Sequence, residues 1–412
     1  LDGGEPALRN VVYSAWRGGP IMDDISPVPN DWDRSGLPGW TYFSENLLTV
    51  EREEIFRKHW QIACHVNDVP EPGDYTTFDI VDERAVIVRG HDREVRAFHN
   101  LCRHRGARVV GDASGHCNKA MICPYHGWAY NLDGTLRGVA ERDSFPPMDR
   151  KDWGLKPIET EIWHGLVFIR FKGGDQPPVA ELMARFEYEV SQYKLDKMVP
   201  TDAEAWEEDL QVNWKSIRDV DNEGYHVRQA HPGLHDLYGN DYFDEPYKHG
   251  TSRSLGRFNK GRAKKWSVNS YLNTLPKVEG LSDESQSAWL YIGIFPNQVV
   301  GFYPDSVIYY QELPVSATQT TQRGRSYRHA EEDRQMRLAR YLSMRIDRDT
   351  MKEDQMLCKW SSEATKSSGF DRVMYSDLEY GLKTHHDHLA AKVPAIRTAV
   401  EPELAQLWPN TG

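Results

Sequence analysis

Short β-rich runs separated by turn residues dominate the stretch 73–171. Segments such as 75–81 (YTTFDIV), 85–90 (AVIVRG), 95–100 (VRAFHN) and 165–171 (GLVFIRF) are rich in β-branched and aromatic residues and are divided by Gly, Asp and Asn. That pattern predicts a small antiparallel β domain. Just before it, residues 50–60 (VEREEIFRKHW) set Ile55, Phe56 and Trp60 at helical spacing beside charges, which predicts a short amphipathic helix. Beyond about residue 200, strands are expected near 288–294, 299–303 and 307–313. A helix is expected from 330 to about 365, where Glu, Arg, Met and Leu abound and Pro and Gly are absent. The fold class is therefore α+β, an all-β domain joined to a larger antiparallel-sheet-and-helix region. The expected boundaries are 1–45 for an arm rich in Gly, Pro and Asp, 46–171 for the β domain and 172–412 for the larger one. Nothing repeats at a solenoid period.

Composition narrows the classes of function. A chain of 412 residues, 39% hydrophobic and 27% charged, is long enough for two cores and has no apolar run of membrane-spanning length. Its formal charge of -12 disfavours nucleic-acid binding, which depends on clustered Lys and Arg. Leu1–Asn10 lacks the basic stretch and apolar core of a secretory signal, so the cytoplasm is the expected compartment. Five cysteines, Cys64, Cys102, Cys117, Cys123 and Cys358, are too few and too scattered for a disulfide framework; reduced thiols, some of them metal ligands, fit better.

Two short segments carry the strongest chemical signal. Cys102-Arg103-His104 and Cys123-Pro124-Tyr125-His126-Gly127-Trp128 each offer one Cys and one His. Zinc motifs usually group their cysteines and their histidines; this interleaved order lets each of two metal atoms draw a like pair from both loops. Cys102 and Cys123 would hold one iron, and His104 and His126 the other. Gly106 and Gly127 would let backbone amides approach the sulfides, and Trp128 and Tyr130 would shield the cluster. The plain alternative is a zinc site or unconnected loop residues, and Cys64 and Cys117 read as spectators.

A second constellation lies in 213–231 (NWKSIRDVDNEGYHVRQAH), where His226 and His231 stand five apart behind Glu223. Five is not a helical repeat, so a local break or widened turn must aim both rings at one point. Alone, such a pair is more often two surface histidines than two ligands.

CRHRG with CPYHGW, together with the NWK…EGYHVRQAH stretch, resembles the Rieske non-haem iron oxygenases, over nearly the whole chain. The resemblance implies a Rieske [2Fe-2S] domain and a helix-grip (START-like) catalytic domain. In the latter His226 and His231 bind ferrous iron, and a carboxylate of the KEDQMLC segment, Asp354, completes a facial triad; Asp347, seven residues earlier, is the reserve. It also implies a homotrimer in which Glu223 connects the cluster of one subunit to the iron of the next. Glu at that position looks most like the branch acting on quaternary ammonium compounds, with stachydrine (proline betaine) the nearest substrate. The implied reaction uses O2 to hydroxylate an N-methyl group, which leaves as formaldehyde. NADH would act through a separate flavin and iron-sulfur reductase, because the chain shows neither a dinucleotide fingerprint nor a plant-type four-cysteine motif.

Trp289, Tyr291, Phe302, Tyr303, Tyr309 and Tyr310 lie on expected strands and are either a cation-binding wall or plain core. Arg103, Arg105 and Arg108 are either a landing site for the reductase or solvated charges. An aromatic-ring dioxygenase α subunit and a Rieske electron-transfer protein remain the rival readings, with a zinc-bound scaffold behind them.

Overall fold

In the computed structural model, which describes residues 28–201, 205–370 and 373–409, the β-rich runs of the first half form one sheet. Its seven antiparallel strands lie in the order Gln61–His65, Leu166–Arg170, Pro157–Trp163, Val95–His99, Glu83–Arg89, Asp74–Ile80 and Ser114–His116. A separate three-stranded sheet, Met121–Ile122, Ala129–Tyr130 and Leu136–Gly138, carries the second Cys/His loop. Strands Gln61–His65 and Leu166–Arg170 are buried along their whole length, so they lack the alternation that betrays a half-exposed strand.

The second large sheet has eight antiparallel strands. Along its main path run Val199–Pro200, Gln319–Arg328, Ser306–Ser316, Gln298–Tyr303, Ala288–Ile294, Thr251–Arg257 and Tyr242–Lys248, and Trp206–Leu210 also pairs with Gln319–Arg328. The three strands expected here are present. Gln319–Arg328 was not foreseen, because in QTTQRGRSYR the alternate buried positions are mostly polar. Helix Arg334–Ala364 is capped by Asp333, whose side chain accepts from the Met336 amide at 2.8 Å. It packs Ala339, Leu342 and Ile346 against Tyr238, Tyr271, Trp289 and Tyr303. At about 1.5–3 kcal/mol for each fully buried large apolar side chain, this face fixes the helix over the sheet.

The expected 50–60 helix is displaced. Ser44 caps a helix at Glu45–Glu51 by accepting from the Leu47 amide, and the chain then loosens into a wide turn at Arg52–Phe56. Charges set in pairs (EREE) masked the earlier start. Of the arm, residues 1–27 lie outside the described residues. Over 28–45, Trp32 and Arg34 bond to Asp377, and the Tyr42 hydroxyl to Asp219.

The two sheets do not sit apart. One buried cluster runs from Phe78, Ile87 and Val167 through Trp214, Tyr247 and Phe295 to Leu389 and Leu407. Across the same boundary the Gln298 side chain accepts from the Ile62 amide and donates to the Trp60 carbonyl. Among the described residues no helix is long and apolar enough to cross a membrane.

Candidate functional site

The two Cys/His loops are closed in the same way. The Gly106 amide donates to the Cys102 carbonyl at 2.8 Å and the Gly127 amide to the Cys123 carbonyl at 3.0 Å. Both glycines sit at φ near +70°, where a Cβ is strained. The glycines' own amides are used to close the loops, and it is neighbouring backbone amides that the tight turns bring toward the sulfur. The amides of Tyr125 and His126 face the Cys123 sulfur; burial and the neighbouring Cys102 keep that thiol raised, and these two donors only partly oppose them. The Tyr130 hydroxyl stands 3.3 Å from Cys102 Sγ while accepting from the Arg103 amide at 2.9 Å, which leaves its own proton free for the sulfur.

The His104 and His126 rings are 4.7 Å apart at 69°, and His104 lies flat on Trp128. His104 Nδ1 is buried without a hydrogen-bond partner. An orphaned ring nitrogen beside two buried thiols and a second imidazole suits a mixed Cys2His2 cluster. All five cysteines are free, as a thiol role requires.

The second constellation is gathered from three segments. Helix Trp214–Asp221, capped by Asn213, ends at Asn222. A single short turn, Val227–Ala230, separates His226 from His231, and His231 leaves helical geometry (φ −115°, ψ 78°) before Pro232 starts Pro232–Tyr238. The break turns both rings inward. His226 Nε2 and His231 Nε2 lie 3.0 Å apart, and Asp354 Oδ1, delivered by the long helix, lies 2.8 Å from His231 Nε2 and 3.6 Å from His226 Nε2.

Each ring is held from behind: His226 Nδ1 meets Glu223 at 2.5 Å and His231 Nδ1 meets Glu353 at 2.9 Å. With each Nδ1–H donated to a carboxylate, both Nε2 lone pairs and the buried Asp354 oxygen converge on one point. Two ligand nitrogens at right angles and about 2.1 Å from a metal would stand about 3.0 Å apart, as these do. Burial opposes charge on His226, but Asp354 and Glu223 outweigh it and raise its pKa to about 10; Asp354 and Glu353 raise His231 likewise. Burial is similarly outweighed at Asp354, which the two rings hold low. A proton and a metal therefore compete for the same nitrogens. Two imidazoles and a carboxylate on one face are the donor set of non-haem ferrous oxygenases.

A cavity of about 140 Å³ opens beside the triad. Tyr291, Tyr303 and Tyr310 of the expected aromatic set line it, together with Tyr238, Tyr242 and Trp206, which sequence reasoning missed. Trp289 stacks behind Tyr303 at 4.0 Å, and Phe302 and Tyr309 belong to the core. Tyr238 lies on the short helix that His231 opens, and that proximity to a candidate ligand was the available signal. Asp347 is not brought to the triad; it accepts from the Tyr303 hydroxyl at 3.1 Å. Glu353 was also missed, though it sits beside Asp354 in the KEDQ segment. Of the three loop arginines, Arg108 is paired with Asp79, Arg105 lies over the Tyr125 ring and Arg103 is half-buried.

Comparison with known proteins agrees with this geometry. Residues 59–149 match the Rieske [2Fe-2S] domain, and residues 195–395 match the ring hydroxylating alpha subunit (catalytic domain). Together the two cover more than half of the chain, which belongs to the Rieske non-haem iron oxygenases. It is 29% identical over 313 residues to the glycine betaine monooxygenase oxygenase subunit of Chromohalobacter salexigens, covering 69% of either chain. It is 32% identical over 226 residues to the carnitine monooxygenase oxygenase subunit of Acinetobacter pittii, covering 52% of this chain and 59% of that one. A crystal structure of the quaternary ammonium Rieske monooxygenase CntA with an inhibitor superposes with a TM-score of 0.73 at 25% identity, over 87% of this chain and 95% of that one. Naphthalene 1,2-dioxygenase, at 18% identity and a TM-score of 0.69, shares the fold.

Proposed function

We propose that this chain is the oxygenase component of a Rieske monooxygenase that N-demethylates a quaternary ammonium substrate, with stachydrine as the specific candidate. The observation that carries the reading is the tyrosine-lined cavity set directly against the His226, His231 and Asp354 triad. A permanent cation cannot shed its charge on burial, and the electron-rich faces of aromatic rings offset the lost hydration. Ser252, Gln322 and Gln355 line the same cavity and offer donors to the carboxylate of a betaine.

In this assignment Cys102, His104, Cys123 and His126 hold the [2Fe-2S] cluster, and His226, His231 and Asp354 hold the ferrous iron. When bound, these groups supply one-electron transfer and dioxygen activation. The chain's own residues do the rest. Glu223 and Glu353 fix the two imidazoles in the tautomer that leaves Nε2 unprotonated. The tyrosine walls exclude water and hold one N-methyl group toward the triad. Two electrons and two protons consume O2 as the methyl becomes N–CH2OH; its C–N bond then breaks to give formaldehyde, a tertiary amine and a proton, with the second oxygen leaving as water. The electrons come from NADH through a separate reductase, and Glu223 links cluster to iron between neighbours of a homotrimer.

The test is formaldehyde release from stachydrine, glycine betaine, carnitine and choline, coupled to a reductase and NADH. Stoichiometric formaldehyde from one of them supports the reading. Cis-diol formation from an arene, with no formaldehyde from any quaternary amine, favours the ring-dioxygenase alternative, whose fold is shared.

A further inference from the structure

Four carboxylates line the cavity beside the triad, and three have clear electrostatic partners. Asp354 faces the two imidazoles, and Glu223 holds His226. Asp221 pairs with Arg218 and accepts from the Tyr310 hydroxyl. The fourth, Asp347, has no Lys, Arg or His partner among the described residues; its contact is the Tyr303 hydroxyl. Behind it Asp305 adds more negative charge. Arg218 cannot serve it, being held by Asp221, Asn222 and Tyr247. A buried carboxyl on a cavity wall of aromatic rings, with no protein cation to meet it, stays protonated until a cation arrives to favour its ionised form.

We infer that Asp347 is the counter-charge for the substrate's quaternary ammonium, a specificity-determining group in a cage whose walls are Tyr303, Tyr291 and Tyr238. This rests on the quaternary-ammonium reading above and adds which residue meets the charge. Tyr303, Tyr291 and Tyr238 are joined hydroxyl to hydroxyl, so their rings are fixed around the carboxyl. Asp347 lies two turns before Asp354 on the same helix, roughly 10 Å along the axis. A cation held between the two carboxyls therefore presents a methyl group to the triad.

Asp347 is raised to about 8 by burial, eased by the Tyr303 hydroxyl and reinforced by Asp305. The groups facing it are Tyr303 and Tyr291 from the sheet, Tyr238 from the short helix and Asp305 from the strand turn, none of them cationic at neutral pH. An arriving cation favours the ionised carboxyl and so displaces its proton.

The experiment is calorimetric binding of choline and of its neutral carbon isostere, 3,3-dimethylbutan-1-ol, to the iron-loaded protein without reductase. The wild type is expected to prefer choline and to release a proton on binding it below pH 8. Asp347→Asn, which preserves shape and the Tyr303 contact, should weaken choline roughly tenfold or more while leaving the neutral probe unchanged. Asp347→Glu should keep a preference for the cation. Iron content and cluster absorption equal to wild type exclude misfolding as the cause. If Asp347→Asn binds choline as wild type does, with the preference over the isostere intact, the tyrosine faces alone recognise the cation and the inference falls. If the wild type itself shows no preference, the quaternary-ammonium reading fails first and takes this one with it.

Discussion

The two metal-binding regions are built on opposite plans. In the cluster region each loop carries one Cys and one His within a few residues, shaped by its own glycine and hydrogen bonds; Tyr130, which touches Cys102, is 28 positions away. In the iron region the contact that orients His231 spans 122 positions, and the third member of the triad, Asp354, arrives on a helix held by its apolar face and by side-chain bonds such as Ser343 to Asp305. Local loops preserve a motif the eye can find. A site assembled by tertiary packing leaves its members scattered, and its integrity depends on everything that seats the long helix.

The sharpest break of that comparison is Asp354→Ala. It is expected to remove the mononuclear iron, lowering total iron by about one third, and to abolish product formation while the cluster's visible absorption persists. Iron analysis with absorption spectra checks this; retained activity with full iron would overturn the triad assignment. Next in size, Glu353→Gln should cost roughly 10–100-fold in iron affinity or activity, because His231 loses the charge that orients it. Chelator competition measures the affinity, and an unchanged value would reduce Glu353 to a surface carboxylate.

Acidification should act on the iron region first. With the metal-free His226 raised to about 10, protons compete for its ring nitrogen at every pH below that, so iron retention falls as pH drops. Dialysis against a weak chelator at pH 5.5 and pH 8 is expected to strip more iron at pH 5.5.

A smaller effect is expected at Asp347. Its folded pKa lies above the unfolded value near 3.8, so the stability it contributes is present below that value and is lost as pH rises through about 8. Asp347→Asn should therefore raise Tm more at pH 8 than at pH 4.5, read by thermal melts in the absence of substrate. The smallest effect belongs to the cluster region. Tyr130→Phe removes a donor to Cys102 Sγ and should lower the cluster's potential, read by redox titration, without altering iron content.

Much of this was legible in the residue order. The Cys/His pairs, the His226/His231 spacing with its forced helix break and the strands 288–294, 299–303 and 307–313 all rest on local pattern, which survives in one dimension. Strand Gln319–Arg328 did not show itself, because its buried positions are polar and are satisfied by partners elsewhere, such as Val212 for Thr320 and Glu312 for Gln322. The helix at Glu45–Glu51 was missed for a related reason: Glu51 is buried, and its ion pair with Lys215 makes an apparent surface charge part of the core.

Sequence alone determined the donor types, their local spacing and the α+β order of elements, since these follow from side-chain chemistry and backbone propensity. Tertiary structure separated Asp354, the carboxyl expected from the sequence, from Asp347, its reserve on the same helical face. One reaches the imidazoles and the other the tyrosines because the helix crosses the sheet at a single depth. That depth is set by Ala339, Leu342 and Ile346 packing against residues drawn from several distant segments.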